Sequence, residues 1–162
     1  MASSINYIKG DATNPIVSGH KIIIHCCNDC SPGQWGAGFV LALSKKWKSP
    51  ETEYRKWSKG HVTYKPFELG QVQFIKVEKD LVVANMIGQH KLHTQNGAPP
   101  IRYAAIDKCL QKVAEIAIQY KASVHSPRFG AGLAGGSWDK IEELIIKNLC
   151  ENDVEVYIYD LA

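Results

Sequence analysis

Two glycine-rich loops, each set between an apolar strand-like stretch and a helix-forming segment, constrain this chain more than any other feature. The first is Gly33-Gln34-Trp35-Gly36-Ala37-Gly38; the second is Gly130-Ala131-Gly132-Leu133-Ala134-Gly135-Gly136, which opens onto Ser137-Trp138. Glycine lets backbone approach a ligand closely, and a helix N-terminus offers unpaired N–H groups with a partial positive charge. One such loop hints at anion binding. Two on strands of one sheet suggest a cradle for an extended phosphate ligand, such as a nucleotide diphosphate.

The segments around the loops alternate between strand and helix. Ile5 to Lys9 reads as a short strand ending at Gly10-Asp11. Ile22-Ile23-Ile24-His25-Cys26-Cys27 lacks polar alternation until its end, the pattern of a strand buried on both faces. Phe39 to Trp47 is predicted as a helix leaving the first loop. Ser49-Pro50-Glu51 restarts a second, with Ser49 as N-cap and Pro50 at the first helical position. Gln71 to Lys76 and Leu81 to Ile87 flank a turn and read as a hairpin. The longest predicted helix runs from Ile101, just after Pro99-Pro100, to Tyr120. Its inward face carries Ile101, Ala105, Cys109, Val113, Ile116, Ala117 and Tyr120. Ala122 to Ser126 is a strand leading into the second loop. A helix capped by Ser137 follows, with Ile141, Leu144, Ile145 and Leu149 inward, and Val154 to Tyr159 closes the chain. This alternation predicts an α/β fold with helices on both faces of a sheet, and the hairpin adds antiparallel pairing.

Residues 1–162 are expected to form one domain, long enough to bury a full core. The formal charge of +3 favours an anionic ligand without demanding nucleic acid. No apolar run reaches the ~20 residues of a membrane span, and no basic-then-apolar signal opens the sequence. The five cysteines (Cys26, Cys27, Cys30, Cys109 and Cys150) are odd in number. Without an export signal they read as reduced thiols, which implies a cytoplasmic protein.

Other motifs compete for attention. Gly130-x-Gly132-x-x-Gly135 fits a dinucleotide fingerprint with Asp160 as its ribose-binding acid, yet two residues beyond Asp160 leave no room for a doubly wound domain. The same loop resembles a phosphate loop with Gly136 where the lysine belongs, which removes the grip on the β- and γ-phosphates. His25-Cys26-Cys27-Asn28-Asp29-Cys30 raises a zinc or dithiol reading, but zinc wants four ligands and only one pair is present. Small buried thiols are the simpler account of Cys26, Cys109 and Cys150. Lys45, Lys46, Lys48, Arg55, Lys56, Lys59 and Lys65, interleaved with Trp47, Tyr54 and Trp57, match a stacking surface for single-stranded nucleic acid. They more often form a solvated helix face with its aromatics turned inward, which is the favoured reading. His25 and Asn28 stand out because both lie at the edge of the expected cradle; His125, just before the second loop, comes next.

Four of these motifs, in this order and spacing, resemble the macrodomain family, which binds ADP-ribose. Ile8-Lys9-Gly10-Asp11-Ala12 resembles the opening motif, whose aspartate accepts a hydrogen bond from the adenine amino group. Ile24-His25-Cys26-Cys27-Asn28, followed by Gly36-Ala37-Gly38, resembles the strand and loop that hold the distal ribose. Pro127-Arg128-Phe129-Gly130-Ala131-Gly132 resembles the loop that wraps the phosphates. Tyr157-Ile158-Tyr159-Asp160-Leu161 resembles the last strand, closing on the adenine through Tyr159.

The resemblance implies a three-layer α/β/α sandwich with a mixed central sheet. It implies a ligand site of Asp11, Ala12, Asn28, Gly36, Ala37, Gly38, Phe129, Gly130, Ala131, Gly132, Leu133 and Tyr159, with no cofactor and no metal. His25 replaces the first asparagine of the common Asn-Ala-Ala-Asn motif. That histidine and the Trp-Gly-x-Gly loop resemble the ADP-ribose 1″-phosphate phosphatase branch, which implies catalysis by His25 with Asn28. The lysine–aspartate pair of a related de-ADP-ribosylating branch is absent: Gly88 or Gln89, and Ala134, stand there. A neutral His25 with a pKa near ~6.5 would activate water or protonate the leaving oxygen; Cys27 is a weaker candidate because a thiolate needs a cationic neighbour. Two alternatives stay open: a hydrolase acting on ADP-ribosylated protein or nucleic acid, and a reader module without chemistry. The expected partners are small ADP-ribose derivatives and such modified macromolecules, with no membrane.

Overall fold

In the computed structural model, which describes residues 4–61, 65–130 and 134–161, six strands form one sheet. The strands are β1 (Ile5–Lys9), β2 (Lys21–Asn28), β3 (Val72–Glu78), β4 (Leu81–Gln89), β5 (Ser123–Pro127) and β6 (Val156–Asp160), in spatial order β1-β6-β5-β2-β4-β3. Every neighbouring pair is parallel except the β3–β4 hairpin. The expected mixed sheet is therefore present, and β2 sits inside it. Its run of isoleucines serves both faces: Ile22 and Ile24 enter one core, Ile23 and Cys27 the other.

Four helices make the outer layers: α1 (Phe39–Lys46), α2 (Ser49–Ser58), α3 (Tyr103–Tyr120) and α4 (Trp138–Asn148). Helices α1 and α2 bury Val40, Leu43, Tyr54 and Trp57 against Ile23, Val83 and Ile87. On the opposite face α3 and α4 bury Ile106, Leu110, Val113, Ile141 and Ile145 against Ile22, Ala84, Met86 and Val124. Tyr54 and Trp57 are thus core residues and cannot stack on nucleic acid. Among the described residues no helix is long and apolar enough to cross a membrane.

Several local expectations change. Helix α2 includes Ser49, so Ser49 is not its cap, and Pro50 occupies the first turn. Helix α3 begins at Tyr103, because the N–H of Ile101 donates to the Ala134 carbonyl and that of Arg102 to the Gly88 carbonyl, which holds both residues extended. Its buried stripe is Ala105, Ile106, Cys109, Leu110, Val113, Ala114 and Ala117, rotated away from Tyr120, which is 53% exposed. Ser137 does precede α4, but its side chain caps nothing; its N–H donates to the Tyr103 hydroxyl at 2.8 Å. Leu144 is only partly buried, while Ile141, Ile145 and Leu149 point inward as expected.

Candidate ligand crevice

The site begins with how two neighbouring strands part. Strands β2 and β5 pair only at Lys21–Ser123, Ile22–Val124 and Ile23–His125. Beyond these pairs β2 stays with β4 as far as Gln89, and β5 stays with β6 as far as Tyr159. The following chain also diverges. After β2 it crosses through α1 and α2 toward β4, and after β5 it crosses through α4 toward β6 on the other face. Such a reversal at the carboxyl ends of parallel strands leaves a crevice where ligands bind. Here it has a volume of about 590 Å³ and is lined from both sides by Gly36, Ala37, Gly38, Phe129 and Gly130.

The two loops hold their shape differently. Gly130 has a φ of +78°, and a Cβ there would stand 2.6 Å from Ile141 Cδ1, so this turn needs glycine. A Cβ on Gly38 would meet no atom within 4 Å; nothing in the protein packs there, and the space belongs to the crevice. Gly38 is also the N-cap of α1, with no side-chain cap and no acidic residue in the first turn. The helix therefore presents uncompensated N–H groups to the crevice. Among the described lining residues there is no carboxylate, while Arg128 lies at the rim. Ala131, Gly132 and Leu133 lie outside the described residues.

His25 lines this crevice from below and differs from the free base expected there. Its ring is 3% exposed, edge-on to Trp35 at 5.4 Å and tilted against Phe39 at 5.9 Å. Nε2 lies 2.5 Å from Asn85 Oδ1. Asn85 spends its Nδ2 hydrogens on the Pro50 carbonyl and on Gln73 Oε1, both at 3.1 Å, so its Oδ1 accepts from His25. Nδ1 is then the unprotonated nitrogen; the Cys27 sulfur lies almost equally far from both ring nitrogens, 4.0 Å from Nδ1 and 3.9 Å from Nε2, and favours neither. Burial pushes the His25 pKa down to about 4, opposed in part by the Asn85 hydrogen bond. The expectation of an ordinary histidine pKa is corrected: this imidazole is neutral, weakly basic and held through Nε2. The Cys27 thiol is pushed up by burial, with no cation to counter it, and stays protonated.

Asn28 is also committed to the protein. Nδ2 donates to the Gln34 carbonyl at 2.6 Å, while Oδ1 accepts from the Cys30 amide and the Tyr54 hydroxyl at 3.1 and 2.8 Å. It lines the crevice mainly by shaping the first loop around it.

The residues expected at the adenine end lie apart from the crevice lining. Asp11 is exposed, its Oδ1 accepting from the Thr13 amide and hydroxyl at 2.8 Å, and Ala12 is buried beside it. Tyr159 is 4% exposed and offers no free ring face. Its hydroxyl accepts from the Ile16 amide and donates to His125 Nδ1 at 2.7 Å, while His125 Nε2 reaches Ser123 Oγ at 2.8 Å. Tyr159 is thus a buried member of a polar chain at the end of the sheet where the adenine was expected. His125 is equally buried, which pushes its pKa to about 4.

Sequence reasoning missed Leu92 and His93 and named Trp35, Gln89 and Ala134 only as parts of motifs; all five line the crevice. Trp35 was visible inside the first glycine loop. Gln89, Leu92 and His93 arrive only because β4 pairs with β2, which no local pattern reveals. Arg128, quoted only as part of a motif, is held by Asp160 and sits over the rings of Tyr7 and Trp138 at 4.9 and 5.2 Å.

No family model matches the sequence. Among relatives, Chromodomain-helicase-DNA-binding protein 1-like of Mus musculus is 33% identical over 98% of this chain. The chain spans only 18% of that protein and 16% of its Danio rerio counterpart. The ADP-ribose 1″-phosphate phosphatase of Candida albicans is 29% identical, over 87% of this chain and 91% of the enzyme. Among solved structures, a Bacteroides thetaiotaomicron protein of unknown function is 55% identical with a TM-score of 0.94, covering 99% of this chain and 100% of its own. A macrodomain protein from Streptomyces coelicolor is 46% identical with a TM-score of 0.83, covering 97% and 99%. DarTG of Thermosipho africanus, solved in complex with ADP-ribose, shares the fold at a TM-score of 0.67 and 15% identity, over 88% of this chain and 38% of its own.

Proposed function

Because this chain belongs to the macrodomain family, we propose that its crevice binds ADP-ribose and that it hydrolyses ADP-ribose 1″-phosphate to ADP-ribose and phosphate. The observation that carries the reading is the parting of β2 and β5, which sets two glycine loops across one crevice. A diphosphate between them meets N–H groups of α1 and no carboxylate among the described lining residues. The distal ribose then rests toward Asn28 and Trp35, on a floor made by His25. The likeness to the Candida albicans phosphatase supports the choice of substrate, and the Thermosipho africanus complex supports the ligand.

In this reading His25 mainly shapes the floor, because burial makes it a weak base and Asn85 engages its Nε2. The same observation favours a second reading, a module that holds ADP-ribose joined to protein or nucleic acid without cleaving it. The absence of a lysine–aspartate pair, with Gly88 or Gln89 and Ala134 at the nearest positions, points the same way. Phosphorus NMR of ADP-ribose 1″-phosphate with the protein separates the two. Growth of free phosphate establishes the hydrolase. Perturbed diphosphate signals without turnover establish the reader, and unchanged spectra refute binding at this crevice.

A further inference from the structure

With His25 sequestered, the crevice needs another group able to move a proton, and one stands beside it. Asp29 and His90 directly follow the last residues of β2 and β4 and face each other across that pair. His90 Nδ1 lies 2.7 Å from Asp29 Oδ2, and the Lys91 amide donates to Asp29 Oδ1 at 2.8 Å. Lys91 adopts a φ of +55° to bring that amide round, a left-handed conformation that an L-residue takes only when its surroundings hold it there. Asp29 is therefore fixed at both oxygens, and its bond to Nδ1 fixes the imidazole.

The other nitrogen is free. His90 Nε2 makes no hydrogen bond, and no buried polar atom among the described residues is unpaired, so Nε2 is open to solvent. His90 is 34% exposed at its side chain and Asp29 only 16%. The ring borders a hollow of about 410 Å³ with Asp29, Cys30, Ser31 and Lys91, and that hollow shares Leu92 and His93 with the crevice. A carboxylate holding one imidazole nitrogen while the other stays open, here beside rather than inside the crevice lining, is the arrangement that makes histidine an oriented acid–base group.

We propose that His90 is the catalytic acid–base residue of this crevice and that Asp29 is its positioning residue. The proposal rests on the hydrolase reading above. The distal end of the ligand points past Asn28 toward Leu92 and His93, placing the 1″-phosphate within reach of Nε2. The protonated Nε2 gives its proton to the 1″-oxygen as the bond from phosphorus to that oxygen breaks and the oxygen keeps the bonding pair. A water oxygen bonds to phosphorus from the opposite side, its two protons stay on the phosphate formed, and solvent returns a proton to the imidazole. One water is consumed, and one sugar hydroxyl and one phosphate are formed.

The test uses the whole chain, ADP-ribose 1″-phosphate turnover followed by phosphorus NMR, and ADP-ribose affinity measured separately by calorimetry. In His90→Gln, kcat is expected to fall about 10²- to 10⁴-fold while ADP-ribose affinity stays within about threefold. His90→Ala loses turnover similarly and regains part of it with added imidazole, which a structural role would not allow. Asp29→Asn lowers kcat while leaving KM unchanged. Wild-type turnover in His90→Gln, or a dead His90→Ala that imidazole does not restore, overturns the proposal and leaves the hydrolase reading standing. ADP-ribose binding by the wild type with no turnover overturns both.

Discussion

Arg128 and Asp160 face each other through two parallel hydrogen bonds, Nε to Oδ1 at 2.7 Å and Nη2 to Oδ2 at 3.2 Å, so the loop after β5 is pinned to the end of β6. Arg128 in turn reaches the crevice rim. Both side chains are more than 40% exposed, so the pair is worth less than about 1 kcal/mol to stability. Asp160→Asn should therefore shift the melting temperature little but weaken ADP-ribose binding by about 3- to 10-fold, as the guanidinium loses its anchor. Arg128→Lys should behave like Arg128→Ala in calorimetry, since an ammonium cannot reproduce the fork.

Gly38 and Gly130 should respond differently to alanine. At Gly130 the positive φ and the nearby Ile141 make Gly130→Ala costly to the fold, by about 1–3 kcal/mol. At Gly38 the new methyl enters open crevice. Gly38→Ala should cost less stability than Gly130→Ala yet weaken ADP-ribose binding at least about tenfold, where phosphate must approach the backbone. Urea denaturation paired with calorimetry on both variants checks the contrast.

Much of this arrangement was legible in the residues. The unbroken Ile22-Ile23-Ile24 run announced a strand with two buried faces, and Gly36, Gly38 and Gly130 do line one crevice. The β3–β4 hairpin followed from its two apolar runs. Strand order did not follow, because the β2–β4 and β2–β5 pairings join segments far apart in sequence. For the same reason Asp29 and His90 gave no joint signal. The start of α3 was misjudged because Ile101 and Arg102 are held extended by Ala134 and Gly88, contacts that override local helix preference. Tyr159 sat at the expected place in its strand, but the alternation of β6 turns it onto His125 rather than outward.

The two buried histidines make stability depend on pH. His25 and His125 both have pKa values near 4 when folded, against ~6.5 in an unfolded chain. Below that unfolded value the denatured state takes up protons that the native state refuses. Stability is thus fully present above about pH 6.5 and is lost as pH falls toward 4. Denaturant titrations at pH 7.5 and 5.0 should differ by roughly 2–4 kcal/mol, and His125→Gln should reduce that difference.

Asn85 should be hard to replace. It is fully buried and joins His25 to Gln73 across three adjacent strands while also serving the Pro50 carbonyl. Asn85→Leu would strand a donor on His25 and remove a partner from the Pro50 carbonyl, costing about 3 kcal/mol in urea denaturation. The crevice floor would loosen with it, so ADP-ribose affinity should fall too.

The short pairing of β2 with β5 has a mechanical meaning. These strands form a seam stitched at one end, with three residue pairs closing it below and the crevice opening above. A molecule that spans the loops fastens the open end, doing what further backbone hydrogen bonds do elsewhere in the sheet. Tightness of binding and resistance to unfolding then become two readings of one fastening.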